Sequence, residues 1–118
     1  MTTTEHIWYK NDKIRQLNDE FRQNLANHDV GTVPLSPGIH NGFPDSLVEI
    51  LDIVQNYTYF TPDSDPYRTH DFGQFILNGV SIIWKIDYYA HNMYSASPAP
   101  DDPHVTVRVL TILLASEY

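Results

Sequence analysis

The chain has 118 residues and no cysteine, and its seven Lys and Arg against 15 Asp and Glu give a net charge of −8. The length predicts one domain, residues 1–118, with a single modest core. The missing cysteines exclude disulfides, thiolate metal sites and cysteine nucleophiles. Residues 41–118 hold three Lys and Arg against ten Asp and Glu, which is −7 of the total. Such a surface repels phosphate backbones, which disfavours direct nucleic-acid binding and favours a basic or nucleic-acid-binding protein as the partner. Solubility is the simpler interpretation of the same charge.

No run of about 18 apolar residues occurs, so we expect no membrane span. The first residues lack the basic and apolar regions of a signal peptide, and together with the absence of cysteine this predicts a cytoplasmic protein. The sequence leaves a homodimer open.

Two helices are predicted in the first half of the chain, after an N-terminal arm of residues 1–10 that we expect to be flexible. The first runs from Asn11 to His28, and its apolar stripe has helical spacing. That stripe comprises Ile14, Leu17, Phe21 and Leu25. Residues off the stripe are expected to meet solvent: Arg15, Asp19, Arg22 and Gln23.

Residues 29–43 contain three Gly and two Pro, which predicts a loop with at most a short edge strand and excludes a helix over residues 33–39. The second helix begins at Pro44-Asp45-Ser46 and ends near Asn56. Its buried face consists of Leu47, Ile50, Leu51 and Val54.

Asn78-Gly79, between two apolar runs, is a strong signal for a hairpin with a two-residue turn. The turn sets Phe75 opposite Ile82 and Gly73 opposite Trp84 on an apolar face, where the indole covers the space a strand glycine leaves. Asp71 is the polar member of that face.

On the other hairpin face the register pairs His70 with Asp87, and a final strand over residues 105–114 is predicted to bring Arg108 to the same side. This cluster, with Lys85, is interpreted as a salt bridge that joins the strands. The alternative is acid–base catalysis by His70, Asp87 and Arg108 in a small hydrolase, with or without a metal. His70, His91 and His104 are candidate metal ligands, but they lack tight spacing, so we expect no metal and no cofactor.

The two loops at the open end of the hairpin combine tyrosine with aspartate, a pairing that suits a protein interface. Tyrosine supplies rigid contact area, and aspartate pairs with Arg or Lys. The candidate partner-binding residues are Asp63, Asp65, Tyr67, Asp71, Tyr89, Tyr94, Asp101 and Asp102.

Several segments together resemble a small bacterial domain family of unknown function that is found on plasmids and other mobile elements. They are residues 14–22 (Ile-Arg-Gln-Leu-Asn-Asp, then Phe-Arg), 62–66 (Pro-Asp-Ser-Asp-Pro), 70–73 (His-Asp-Phe-Gly), 84–89 (Trp-Lys-Ile-Asp-Tyr-Tyr) and 108–118. The resemblance supplies no activity, but it implies a context, because small proteins of mobile elements often regulate or block host systems.

The sequence therefore predicts an α+β fold, with two helices packed on one face of a three- or four-stranded antiparallel meander. For function it favours a non-enzymatic, acidic DNA-mimic protein that inhibits a host defence or nucleic-acid-processing system, of the anti-CRISPR or antirestriction type. The hydrolase is the alternative.

Overall fold

Three α-helices and three β-strands form within residues 3–28 and 30–118, the part of the chain that the computed structural model describes. The helices are α1 (Thr3–Gln23), α2 (Pro37–Gly42) and α3 (Leu47–Gln55), and the strands are β1 (Phe72–Leu77), β2 (Val80–Tyr89) and β3 (Val107–Leu114). The strands make one antiparallel sheet in the order β1-β2-β3. This is the predicted α+β architecture. None of the described helices is both long enough and apolar enough to cross a membrane.

The hairpin between β1 and β2 has the predicted register. Asn78 and Gly79 both have positive φ, 52° and 78°, as a type I′ turn requires. Gly73 faces Trp84 in the ladder, and a Cβ on Gly73 would overlap the indole. The ladder extends to Asp71, whose carbonyl accepts a 2.8 Å hydrogen bond from the Ile86 amide.

One face of the sheet carries the main core, to which all three helices contribute. From β2 and β3 the core takes Ile82, Trp84, Ile86, Leu110 and Ile112. From the helical segments it takes Leu25, Ile39, Ile50 and Val54. The predicted buried face of α3 is confirmed, with Ile50 and Val54 fully buried and Leu47 and Leu51 packed beside them.

The prediction for β3 was wrong about which residues face the core. The strand begins at Val107, and Arg108 pairs with Tyr88 while Val109 pairs with Asp87. Arg108 therefore lies on the core face with Leu110 and Ile112, and Val109 lies on the opposite face. Both faces of β3 bury aliphatic side chains, so the sequence lacks the alternation that fixes the facing of a half-buried strand.

α1 begins at Thr3 rather than Asn11, so residues 3–10 of the expected arm are helical. No Pro or Gly interrupts this stretch, and nothing in it stops a helix. After Gln23 the chain continues into a 3-10 turn, Leu25–Asn27. Met1, Thr2 and Asp29 lie outside the described residues.

The exclusion of a helix over residues 33–39 was also wrong in part, because α2 begins at Pro37. Ser36 caps it by accepting a hydrogen bond from the Ile39 amide, and proline is well tolerated in a first helical turn, where its missing N–H costs nothing. The expected edge strand is reduced to one bridge, in which Leu35 pairs with Ile112 in parallel.

Candidate functional site

Two loops lie at the same end of the sheet, and Asn18 of α1 is hydrogen-bonded to Thr69 and Arg108 there. Residues 57–71 lead into β1 and residues 90–106 join β2 to β3, and in an antiparallel sheet the start of β1, the end of β2 and the start of β3 lie at the same end. Sequence positions far apart in the chain therefore meet here, and most of the predicted site residues belong to this region.

A buried chain of hydrogen bonds ties α1 to this end of the sheet. Arg108 Nε donates to Asn18 Oδ1 at 2.7 Å. Asn18 Nδ2 donates to the Thr69 carbonyl at 2.9 Å and to the Tyr88 hydroxyl at 2.7 Å. The Tyr88 hydroxyl in turn donates to Asp71 Oδ2 at 3.0 Å. Because Asn18 is fully buried, all of its amide contacts are with protein groups, and such a satisfied network favours a single packing arrangement.

Burial dominates the electrostatics of this network. It raises the pKa of Asp71, against the hydrogen bond from Tyr88 and with a further contribution from nearby Asp65. Burial also raises the pKa of Tyr88, and the Asp71 carboxylate raises it further. It lowers the pKa of Arg108, while Tyr88 and Asp101 oppose that shift. At neutral pH the Tyr88 hydroxyl therefore remains a proton donor.

His70 lies between two carboxylates beside this network. Its Nδ1 is 2.9 Å from Asp19 Oδ1, and its Nε2 is 3.7 Å from Asp65 Oδ2. The imidazole stacks on Phe60, with ring centroids 3.7 Å apart and an interplanar angle of 6°. Asp65 Oδ1 also accepts from the Thr69 and His70 amides, at 3.1 and 3.3 Å, so this carboxylate holds the turn before β1.

Arg22 joins α1 to the end of α3. One guanidinium nitrogen donates to the Val54 and Gln55 carbonyls at 2.9 and 3.1 Å, and the other contacts Asp19 at 3.1 Å. The guanidinium also lies 5.2 Å from the centre of the Trp84 ring. Arg22, which the apolar stripe predicted to be solvent-facing, is therefore almost completely buried.

The predicted pair of His70 and Asp87 does not form. His70 has a φ of 55°, so its backbone is not extended and it does not pair with Asp87 in the ladder. The His70 side chain contacts Asp19 instead. Asp87 contacts Lys85 on the other face. With Arg108 on the core face, the expected cluster of His70, Lys85, Asp87 and Arg108 is divided between different environments.

The predicted partner-binding residues differ in exposure. Three are exposed on the two loops: Asp63, Tyr67 and Tyr94. Four are partly buried: Asp71, Tyr89, Asp101 and Asp102. Asp65 is buried and already has backbone partners. Tyr59, which is also exposed, adds another aromatic ring to the same loop.

The residues that sequence reasoning missed are Asn18, Asp19 and Arg22. The signal for Asn18 and Arg22 is a second stripe at helical spacing, which runs through Ile14, Asn18 and Arg22 on α1 and continues to Leu25 in the turn that follows. Asp19 lies beside this stripe and has no such signal. A polar stripe predicts burial only when its partners are known. Those partners come from the loops and β3, far away in the sequence.

Among the residues described, no group of three or more His, Asp and Glu side chains is placed to hold a metal ion. His91 and His104 are neighbours, but the contact joins His91 Nε2 to the His104 carbonyl oxygen at 2.7 Å. The two imidazoles are not held as a ligand pair by this bond.

Comparison with known proteins places most of the chain in a family. Residues 35–117 match the model of the family described as "Protein of unknown function (DUF3768)". This match spans more than half of the chain and includes α2, α3 and all three strands, so the protein belongs to the DUF3768 family. It has no match among curated proteins and none among solved structures.

Proposed function

We propose that this protein is a non-catalytic binding protein that uses its two acidic, tyrosine-bearing loops to dock on a basic surface of a host nucleic-acid-processing or defence protein. The observation that carries the proposal is the joint exposure of Asp63, Tyr67 and Tyr94 at one end of the sheet. Exposed tyrosines next to carboxylates provide contact area and charge together.

The distribution of cations supports an acidic docking surface. Residues 41–118 contain only Arg68, Lys85 and Arg108 as Lys or Arg. Arg108 is buried in the network, and Lys85 contacts Asp87. Arg68 lies in the loop before β1 and packs on Trp8, where it offsets part of the charge of that loop. Three cations still stand against ten carboxylates, and a negative surface steers association with a positive partner.

The resemblance of the sequence to proteins of plasmids and other mobile elements supports a host defence system as the target. Restriction enzymes and CRISPR effectors hold nucleic acid on basic surfaces, and a protein that presents carboxylates and aromatic rings competes for such a surface. Inhibition then requires no reaction by the inhibitor itself.

The test compares phage plating on host bacteria with an active restriction or CRISPR system, with and without expression of the chain. We expect expression to raise plating efficiency and the double variant Asp63→Asn/Asp102→Asn to reduce that effect. Asp65 and Asp101 are left intact, because Asp65 holds its turn and Asp101 acts on Arg108. Affinity purification from the native host, repeated at increasing salt, identifies the partner and tests whether binding is electrostatic.

The matched control is Asp45→Asn/Glu49→Gln, which removes the same charge from exposed positions outside the two loops. It should behave as the wild type. If neither defence system is inhibited and no basic or nucleic-acid-binding protein is recovered, the proposal fails. If the two double variants behave alike, the carboxylates of the two loops are not the docking surface.

A further inference from the structure

A cleft of about 520 Å³ opens between the N-terminal half of α1 and the loop before β1. Here it is named the α1 cleft, and the residues used below are Trp8, Arg15, Phe60, Pro62, Arg68 and His70. Its volume falls in the range of small-molecule sites, about 300–1,000 Å³. Its walls combine aromatic rings and proline with two guanidinium groups and an imidazole.

Among the side chains that the structure describes, Arg68 differs from the other three arginines in having no hydrogen-bond acceptor. Arg15, Arg22 and Arg108 each donate to an oxygen of the protein. Within the described residues, the Arg68 guanidinium donates no hydrogen bond. It lies over the Trp8 ring at 3.9 Å from the centroid, which orients the plane of the group. An oriented guanidinium with unused donors is suited to bind a phosphate or carboxylate through two parallel hydrogen bonds.

The backbone supports this reading of the α1 cleft. Arg68 and His70 have φ values of 56° and 55°, in the left-handed region that is unfavourable for residues with a Cβ. The hydrogen bonds from the Thr69 and His70 amides to Asp65 stabilise this conformation. Such strain concentrates at ligand sites, where it positions side chains before the ligand arrives. Both strained residues line the cleft.

The charge of the cleft lining leaves one cation for an anion. Arg15 is paired with Asp12 at 3.0 Å and His70 with Asp19 at 2.9 Å, and the carboxylate of Asp65 accepts from backbone amides. Arg68 is the cation of the lining that has no carboxylate partner among the described residues. Pro62 and the exposed part of Trp8 add apolar surface for a ring beside the anionic group, while one face of Phe60 is already covered by the His70 imidazole.

We propose that the α1 cleft binds a nucleoside monophosphate, with Arg68 holding the phosphate and the aromatic and proline wall contacting the base. Arg15 and His70 also line the cleft, but each contacts a carboxylate, Asp12 and Asp19 respectively, so Arg68 is the group that binds the phosphate. This goes beyond the partner binding by the acidic loops, because it gives the protein a small-molecule ligand.

The test is titration of the full chain with AMP, followed by calorimetry and by tryptophan fluorescence. The chain has two tryptophans, and Trp84 is fully buried while Trp8 is 36% exposed. A fluorescence change on binding therefore arises at Trp8 and disappears in Trp8→Phe. Adenosine and ribose 5-phosphate, which each lack one half of the ligand, should bind more weakly than AMP.

Two substitutions of Arg68 separate charge from geometry. Arg68→Lys keeps the charge but loses the planar fork, and we expect about tenfold weaker binding of AMP. Arg68→Asn removes the charge while suiting the left-handed backbone, and it should bind more weakly still. Lys85→Gln removes one positive charge on the other face of the sheet and should leave affinity unchanged. The proposal is overturned if AMP does not bind saturably, if adenosine binds as tightly as AMP, or if Arg68→Asn matches Lys85→Gln.

Discussion

At the scale of single residues, the loop end of the molecule depends on buried polar side chains with several partners each. Asn18 uses both ends of its amide, Tyr88 both accepts and donates, and Asp65 holds two backbone amides of the turn. Each of these groups would be expensive to bury unpaired. The network therefore holds the loops, and with them the exposed Asp63 and Tyr67, in one position.

Asp71 provides a prediction about pH. Burial raises the pKa of Asp71 above its ordinary value of 3.8, so the native state holds this proton more tightly than the unfolded chain. The free energy of unfolding therefore falls as the pH rises from below 3.8 through the raised native pKa, and it levels off above it. Asp71→Asn still offers an oxygen to Tyr88 but lacks this loss. We expect the variant to gain stability relative to the wild type with rising pH, measured by urea unfolding between about pH 3 and pH 7.

The exposed substitution Asp45→Asn corrects for the general effect of removing one carboxylate. A stability difference between Asp71→Asn and the wild type that is constant with pH would contradict the burial of Asp71. A variant that loses stability relative to the wild type as the pH rises would reverse the sign and contradict it more strongly.

At the scale of elements, the local signals succeeded where one residue type determines the backbone. Asn78-Gly79 predicted the hairpin and its register, because both turn positions need positive φ. Glycine at position 73 predicted the contact with Trp84, because a residue without a Cβ leaves room for the indole. β3 gave no comparable signal, since aliphatic residues line both of its faces. Which face of β3 meets the core depends on the hydrogen bond from Arg108 to Asn18. These residues are 90 positions apart, so no local pattern contains this contact.

Arg22 links two elements, because it caps the carboxyl end of α3 from α1. Replacing it by Met leaves the Val54 and Gln55 carbonyls without their donor and Asp19 without its cation. We expect Arg22→Met to lower the free energy of unfolding by about 1.5–3 kcal/mol, since hydrogen bonds to charged groups are of this size. Denaturant unfolding measures the change. Gln23→Met, an exposed neighbour on the same helix, is the control and should change stability by less than about 0.5 kcal/mol.

Arg22→Lys refines the same prediction. The lysine keeps a positive charge near the α3 terminus, where the helix dipole favours it, but it cannot reach three oxygens with a planar fork. Its stability should fall between those of the wild type and Arg22→Met. Equal stability of Arg22→Met and the wild type would show that the carbonyls of α3 find other donors.

At the scale of the whole molecule, the sequence predicted the architecture and the acidic composition of the two loops. It did not predict which of their carboxylates are exposed and which are hydrogen-bonded. Composition and charge placed the Asp residues in the two loops, and that much follows from chain order. Which of them are free follows only from three-dimensional contacts: Asp65 binds amides, Asp71 meets Tyr88, and Asp63 is exposed. The same holds for His70, whose partners Asp19 and Asp65 come from a helix and a turn rather than from the facing strand.

A protein with a net charge of −8 repels itself, and carboxylates that serve binding are retained at a cost to stability. Asp102 accepts from the His104 amide, which an asparagine oxygen can also do, so Asp63→Asn/Asp102→Asn changes charge with little change in hydrogen bonding. We expect this variant to be more stable than the wild type by about 0.5 kcal/mol in low salt. The gain should fade as the salt concentration rises, because at 0.1 M the Debye length is only about 10 Å. Thermal unfolding across a salt series measures both effects.

The same double variant is expected to lose partner binding, so its stability and its binding should change in opposite directions. That opposition is what separates carboxylates kept for recognition from carboxylates kept for folding. If the variant is less stable than the wild type in low salt, Asp63 and Asp102 stabilise the native loops, and their loss of binding would then reflect a damaged loop structure. Asp45→Asn/Glu49→Gln has the same charge change elsewhere, but Glu49 lies in the first turn of α3, where the helix dipole favours a carboxylate. Its stability change therefore sets a lower bound on the relief of general repulsion against which the loop carboxylates are judged.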